Sequence, residues 1–289
     1  MANVSADKYY VPHGSQWPIV GSVALFLLMF GSGMWLNDWG LGKVFVVLGA
    51  AALLYMIFGW FGTVIRESVS GMFNKQVDVS FRMGMIWFIA SEVMFFAAFF
   101  GALFYARHLA LPWLGGEGAN FWTNVLLWSG FENGWPSAGP ANLGGGFEPM
   151  AWSGLPLINT ALLLTSSVTL TVAHHALIKN DRFWMKLGLL MTFVLGFAFI
   201  GLQVLEYAEA YNHLNLKLSS GIYGSTFFLL TGFHGLHVTL GSIMLVTIFL
   251  RTLKGHFSPD NHFGFEAVAW YWHFVDVVWL GLFVFVYFL

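Results

Sequence analysis

Glu92 lies in the run FIASEVMFFAAFF and is the single charged residue between Arg82 and Arg107. Ten helical residues beyond Arg82, its carboxyl sits ~15 Å along the axis, near the middle of a hydrocarbon core about 30 Å thick. A carboxylate at that depth costs a few kcal/mol, so Glu92 must be paired, hydrated or protonated. Burial disfavours the charged form, which makes a neutral acid the default. Two functional readings follow: a proton-relay site, or the wall of a lipid or water cavity.

Three further sets of residues carry potential chemistry. In AWYWHFVDVVW, His273 and Asp276 stand three apart and share one helix face. Asp276 can accept a hydrogen bond from His273 or Trp272. FHGLHV places His234 and His237 three apart at similar depth on the preceding apolar stretch. A polar seam of His234, His237, His273 and Asp276 between the two helices would satisfy all four inside the protein. At the rim, GTVIRES and FLRTLKGH set Arg66, Arg251, Lys254 and His256 at headgroup level. These basic groups either bind phospholipid headgroups or serve as ordinary topological anchors.

Ten histidines also raise the question of a metal or haem. His174 and His175 are adjacent, about 100° apart on a helix, so at most one can face a given cofactor. His237 with His273 is the pair at matching depth, and each has a nearer partner in the seam. The sequence has no cysteine and no HExxH. No metal ligand set and no catalytic residue is therefore expected in this chain.

The elements that must position these groups are membrane helices. Of 289 residues, 58% are hydrophobic and 9% charged, against about 25% charged in soluble domains. The expected fold class is an all-α integral membrane protein. Seven apolar stretches are long enough to span, near 17–36, 42–65, 82–106, 155–178, 184–208, 221–250 and 264–288. They form a single membrane domain over 1–289, with no internal repeat. The first stretch is expected to serve as its own insertion signal, because MANVSADKYYVPHGSQ lacks the basic and small-residue features of a signal peptide. Lys8, Arg66, Lys75, Arg82, Lys179, Arg182, Lys186, Arg251 and Lys254 fall on the N-terminal side, and Lys43, Arg107 and Lys217 on the other. Nine against three places the N-terminus in the cytoplasm and Leu289 outside. The net charge of −2 offers nothing to nucleic acid. A long outer loop, 107–154, carries Trp122, Trp128, Trp135 and Trp152. It either lies on the outer membrane surface or contacts a partner.

Several runs together resemble the subunit 3 family of cytochrome c oxidases, within the haem-copper oxidase superfamily. They are VIRES (64–68), FIASEVMFF (88–96), PLINT (156–160), AHHAL (173–177), GSTFFLLTGFHGLHV (224–238) and HFGFEAVAWYWHFVDVVWL (262–280). They run in family order over nearly the whole chain from the second span. Two departures stand out: the outer loop looks longer than is typical, with GWPSAG where the family tends to have WPPxGI, and the first span matches only in hydropathy.

The resemblance implies a bacterial, aa3-type subunit with no redox centre of its own. Haem and copper would lie in partner subunits 1 and 2 of a proton-pumping terminal oxidase of the aerobic respiratory chain. It implies a fold of two bundles, helices 1–2 and 3–7, forming a V-shaped cleft that holds phospholipid. It places Arg66, Glu92, Arg251, Lys254 and His256 at or near lipid sites, and Glu92 at a buried carboxyl discussed for proton pumping. The implied role is to support proton uptake and stability of subunit 1, in the bacterial inner membrane, with the C-terminus periplasmic. Two rivals remain: a proton- or ion-coupled transporter using Glu92 and Asp276, and a di-haem membrane cytochrome. The missing inverted repeat weighs against the first.

Overall fold

The computed structural model describes residues 10–11, 14–142 and 144–289. Lys8, counted in the charge balance, lies outside the described residues. The helices are α1 (Trp17–Leu36), α2 (Gly42–Val69), α3 (Lys75–Tyr105), α4 (Leu111–Leu114), α5 (Phe121–Leu127), α6 (Leu155–Ile178), α7 (Arg182–Asn212), α8 (Gly221–Leu253) and α9 (Phe263–Leu282). π-helical turns extend α3 over Ala106–Ala110 and α9 over Phe283–Phe288. No strand occurs among the described residues. Seven helices are long and apolar enough to cross a membrane, so the chain is a multi-pass membrane protein.

The observed helices outrun several of the expected spans. α3 begins at Lys75, seven residues before the expected 82, because Asn74 accepts the Val77 N–H at 3.1 Å and Asp78 pairs with Arg82 one turn on, at 2.8 Å. α7 starts at Arg182, where Asp181 Oδ1 accepts the N–H groups of Phe183 and Trp184 at 3.1 and 3.2 Å. Hydropathy marks the thickness of the membrane, whereas caps and i,i+4 pairs carry a helix into the polar interface.

The chain forms two compact units, residues 1–83 and 84–289, divided within α3. In the first, α1 and α2 pack as an antiparallel pair. Lipid is as apolar as their side chains, so close backbone approach must supply the attraction. Gly31 and Gly49 permit it. A Cβ at Gly49 would stand 2.7 Å from the Leu28 nitrogen, and one at Gly31 2.7 Å from that of Val46. Trp17 adds a 3.3 Å hydrogen bond from its indole to Thr63.

The second unit holds α6–α9 and the rest of α3. α6 lies on α7, α7 on α8, and α9 against both α6 and α8. Gly188 brings α7 onto Ala173 and Thr169 of α6. α9 is the most enclosed span: Trp272, Val275, Trp279 and Leu282 have no exposed surface. α3 meets α8 and α9 through long aromatic side chains, with ring centroids 5.0 Å apart for Phe95–Phe233 and 6.1 Å for Phe96–Phe274.

Candidate functional site

The deep polar residues do not form one seam. They divide by partner: His237 turns to α3, His273 to α6, and His234 to the backbone of α9. In the first, Glu92 of α3 meets His237 of α8, with Oε2 2.9 Å from Nε2. His237 Nδ1 lies 2.6 Å from the Phe233 carbonyl. A carbonyl only accepts, so Nδ1 carries a hydrogen. One further proton must then lie between Nε2 and the carboxyl. The pair is either a neutral acid donating to a neutral imidazole, or a carboxylate accepting from imidazolium. In both forms it holds one shared proton and no net charge, which resolves the cost of a lone carboxylate at this depth. Phe96 lies against the imidazole at 5.0 Å and Tyr271 stacks on it at 6.3 Å.

The second group faces α6. His273 Nδ1 is 2.7 Å from Ser167 Oγ and 3.8 Å from Asp276 Oδ2, so serine is its closer partner. Asp276 itself is buried. Trp272 turns away from Asp276 and donates its indole N–H to Ser166 at 2.9 Å. About two turns later, Trp279 donates to Thr160 at 2.9 Å. His234, fully enclosed, donates through Nε2 to the Val275 carbonyl at 3.2 Å and lies between Phe199 and Trp279. The sequence carried a signal for α6 as acceptor, in the hydroxyl-rich NTALLLTSSVTLT (159–171).

A further polar group stands nearer the far ends of α7 and α9, and sequence reasoning passed over it. Tyr287 donates to Glu206 Oε1 at 2.6 Å, and Glu206 has no exposed surface. Gln203 donates to the Thr231 carbonyl at 2.8 Å, and Tyr207 shares a 2.7 Å hydrogen bond with the Thr231 hydroxyl. A carboxyl inside the apolar stretch 184–208 was the available signal.

The basic residues of the rim lie in both units. In the first, Arg66 is exposed and donates to Thr63 Oγ1 at 3.3 Å. In the second, Arg251 is half-buried, its guanidinium 4.5 Å over the Phe257 ring, while Nε finds no partner in the protein. Lys254 is exposed three residues on. His256 donates its backbone N–H to the Arg251 carbonyl at 3.1 Å. Desolvation, then the positive charges of Arg251 and Lys254, hold its imidazole below the usual histidine range. His256 is therefore a neutral hydrogen-bonding group at pH 7 rather than a third cation. Nearby, His174 stacks on Phe265 at 5.5 Å, and His175 donates back to the Thr171 carbonyl at 2.9 Å.

Among the described residues no group of three or more His, Cys, Asp or Glu side chains converges as a metal site would. What the arrangement provides is a set of buried polar groups in a helical bundle, most of them hydrogen-bonded within the chain, with both carboxyl oxygens of Asp276 left without a hydrogen-bond partner.

The whole chain can be compared with known proteins on this footing. The family model for cytochrome c oxidase subunit III matches residues 7–289. The chain is 41% identical over 283 residues to cytochrome c oxidase subunit 3 of Oncorhynchus mykiss, covering 98% of this chain and 97% of the relative. It is 42% identical over 280 residues to that of Dugong dugon, covering 96% of each. Ordered as the motifs are along seven spans, and matched from end to end, the chain belongs to the cytochrome c oxidase subunit III family.

Proposed function

We propose that this chain is the non-catalytic subunit of its oxidase, and that it holds structural phospholipid and supports proton uptake and stability of the redox subunit. Haem and copper belong to partner subunits 1 and 2 in this reading, and this chain carries none. The excess of Lys and Arg on the N-terminal side supports a cytoplasmic N-terminus and a periplasmic C-terminus in a bacterial inner membrane.

One observation carries the lipid-holding role. Arg251 keeps a half-buried guanidinium fixed on Phe257 with Nε unpartnered, next to the exposed Lys254, at the end of a membrane span. Leaving a buried donor unmet costs about 1–3 kcal/mol. A phosphate oxygen would meet it and neutralise the charge, and Arg is the side chain best shaped for that contact. His256 adds a neutral hydrogen bond, and Arg66 supplies a second headgroup anchor in the first unit.

The test is native mass spectrometry of the assembled oxidase with Arg251→Gln, Lys254→Gln and Arg66→Gln. Arg251→Gln should release phospholipid retained by the wild type, and the triple variant more of it. Equal retention in all variants would reduce these residues to topological anchors. Glu92 belongs with the structure rather than the proton path in this account. Its shared proton already satisfies the carboxyl within the chain.

A further inference from the structure

We propose that α5, in the long connection between α3 and α6, is an interfacial helix. Its apolar face would be seated in the lipid leaflet on the side opposite the N-terminus. The odd number of spans before it places it there. Its polarity is inverted relative to a helix packed on protein and facing water. Phe121, Trp122, Val125 and Leu126 lie within one ~140° arc at 100° per residue, and all four are exposed, Trp122 by 66% and Leu126 by 73%, with the exposed Leu127 ~100° beyond the arc at the end of the helix.

The polar residues of α5 point into the protein instead. Asn124 Nδ2 lies within hydrogen-bonding reach of three carbonyls, those of Leu114, Trp128 and Phe131, at 3.0, 3.2 and 3.0 Å. Thr123 accepts the indole N–H of Trp113 at 3.2 Å. The amide thus ties both ends of the segment to the end of the span it follows, and fixes which face looks out.

The surroundings decide what covers that face. From Gly118 to Phe131 there is no charged residue, so nothing offers the charge pairing that specifies a polar partner surface. The helix leading to α5 likewise exposes apolar side chains, at Phe104, Leu109 and Trp113. Aromatic side chains at the end of a span are those the headgroup boundary favours.

The other half of the connection behaves differently. Glu148 donates its N–H to the Leu214 carbonyl at 2.9 Å, Asn215 donates to the Gly146 carbonyl at 2.9 Å, and Tyr223 donates its N–H to the Ser137 carbonyl at 3.2 Å. Trp135 and Phe147 pack on the Tyr223 ring at 5.4 and 5.3 Å. That half is seated on the turn between α7 and α8, and leaves α5 as the part that meets the lipid.

The chain contains no cysteine, so Trp122→Cys, Leu126→Cys and Glu132→Cys each give one thiol in this subunit. Each variant oxidase is nitroxide-labelled and reconstituted in phosphatidylcholine–phosphatidylglycerol vesicles, with the labelled wild-type complex as background. Collisions with oxygen, which favours lipid, are compared with collisions with a water-soluble nickel chelate. The oxygen-to-nickel ratio should be several-fold higher at 122 and 126 than at the exposed Glu132 position. Two results overturn the proposal: nickel access at 122 and 126 equal to that at 132, meaning water, or shielding from both reagents, meaning a protein partner. Leu126 is the more exposed of the two, and Trp122 packs edge-on against Phe121 at 5.4 Å, so Leu126→Cys reads the same face without removing that ring contact.

Discussion

If Glu92 and His237 form an internal clasp, the two residues must be energetically coupled, and the structure sets the size. Glu92→Leu removes the 2.9 Å bond and leaves His237 Nε2 without a hydrogen-bond partner, in a side chain only 11% exposed. Interhelical hydrogen bonds in membranes average about 0.6 kcal/mol and reach ~1.7. An unsatisfied buried group adds about 1 kcal/mol or more. Glu92→Leu should therefore cost about 1–2 kcal/mol, and His237→Leu a similar amount. The double variant should cost less than their sum, by about 0.6–2 kcal/mol, because each single change already breaks the shared contact. Glu92→Gln behaves differently. Its amide N–H can donate to Nε2 while Nδ1–H stays on the Phe233 carbonyl, so the expected cost is under about 0.5 kcal/mol. The assay is the midpoint for thermal release of this subunit from the assembled oxidase, measured for all four variants beside the wild type. A coupling below about 0.3 kcal/mol, or a Glu92→Gln variant as unstable as Glu92→Leu, would refute the clasp.

Two other outcomes follow from bonds described above. Trp272→Phe and Trp279→Phe each remove an indole donor from the Ser166 or Thr160 hydroxyl, which keeps its own bond to the Leu163 or Pro156 carbonyl, at about 0.5–1.5 kcal/mol apiece in the same release assay. Loss of neither stability nor assembly in the pair would show that α6 and α9 are held by packing alone. His256 gives a pH dependence: its folded pKa is below the ordinary value of 6.5, so the positive charge arrives only as pH falls under that value. In that window the folded chain binds fewer protons than the unfolded one, so the stability of the fold should fall on acidification while any bound anionic lipid tightens. Both trends should vanish in His256→Gln, read by thermal unfolding and by lipid retention in native mass spectrometry between pH 7.5 and 5.

The spans and their order were legible because twenty-residue apolar runs have few other uses. Their ends were less so: the seven extra residues at the start of α3 depend on Asn74 and on the Asp78–Arg82 pair, which hydropathy does not weigh. Glu92 was identifiable as a site from its depth alone. Its partner was not, because depth along two helices leaves their rotation undetermined, and His237 could equally have faced His273. The rotation of α8 is set by packing, with Phe95 and Phe96 of α3 against His237 and Phe233. The role of α6 was hidden for a related reason. Ser166, Ser167 and Thr160 are common in membrane helices, and only three-dimensional placement shows that each meets an α9 ring nitrogen.

The central claim is that Glu92 holds α3 to α8 and does not carry pumped protons, while the chain as a whole supports a redox centre housed elsewhere. Its most direct test is proton release per electron during turnover of the oxidase in sealed vesicles, with Glu92→Gln beside wild type. Both preparations must first be shown fully assembled and equal in phospholipid content. Equal oxygen consumption and an equal proton-to-electron ratio are expected. A clear loss of pumping in the assembled, lipid-replete Glu92→Gln enzyme would contradict it and return the carboxyl to the proton path.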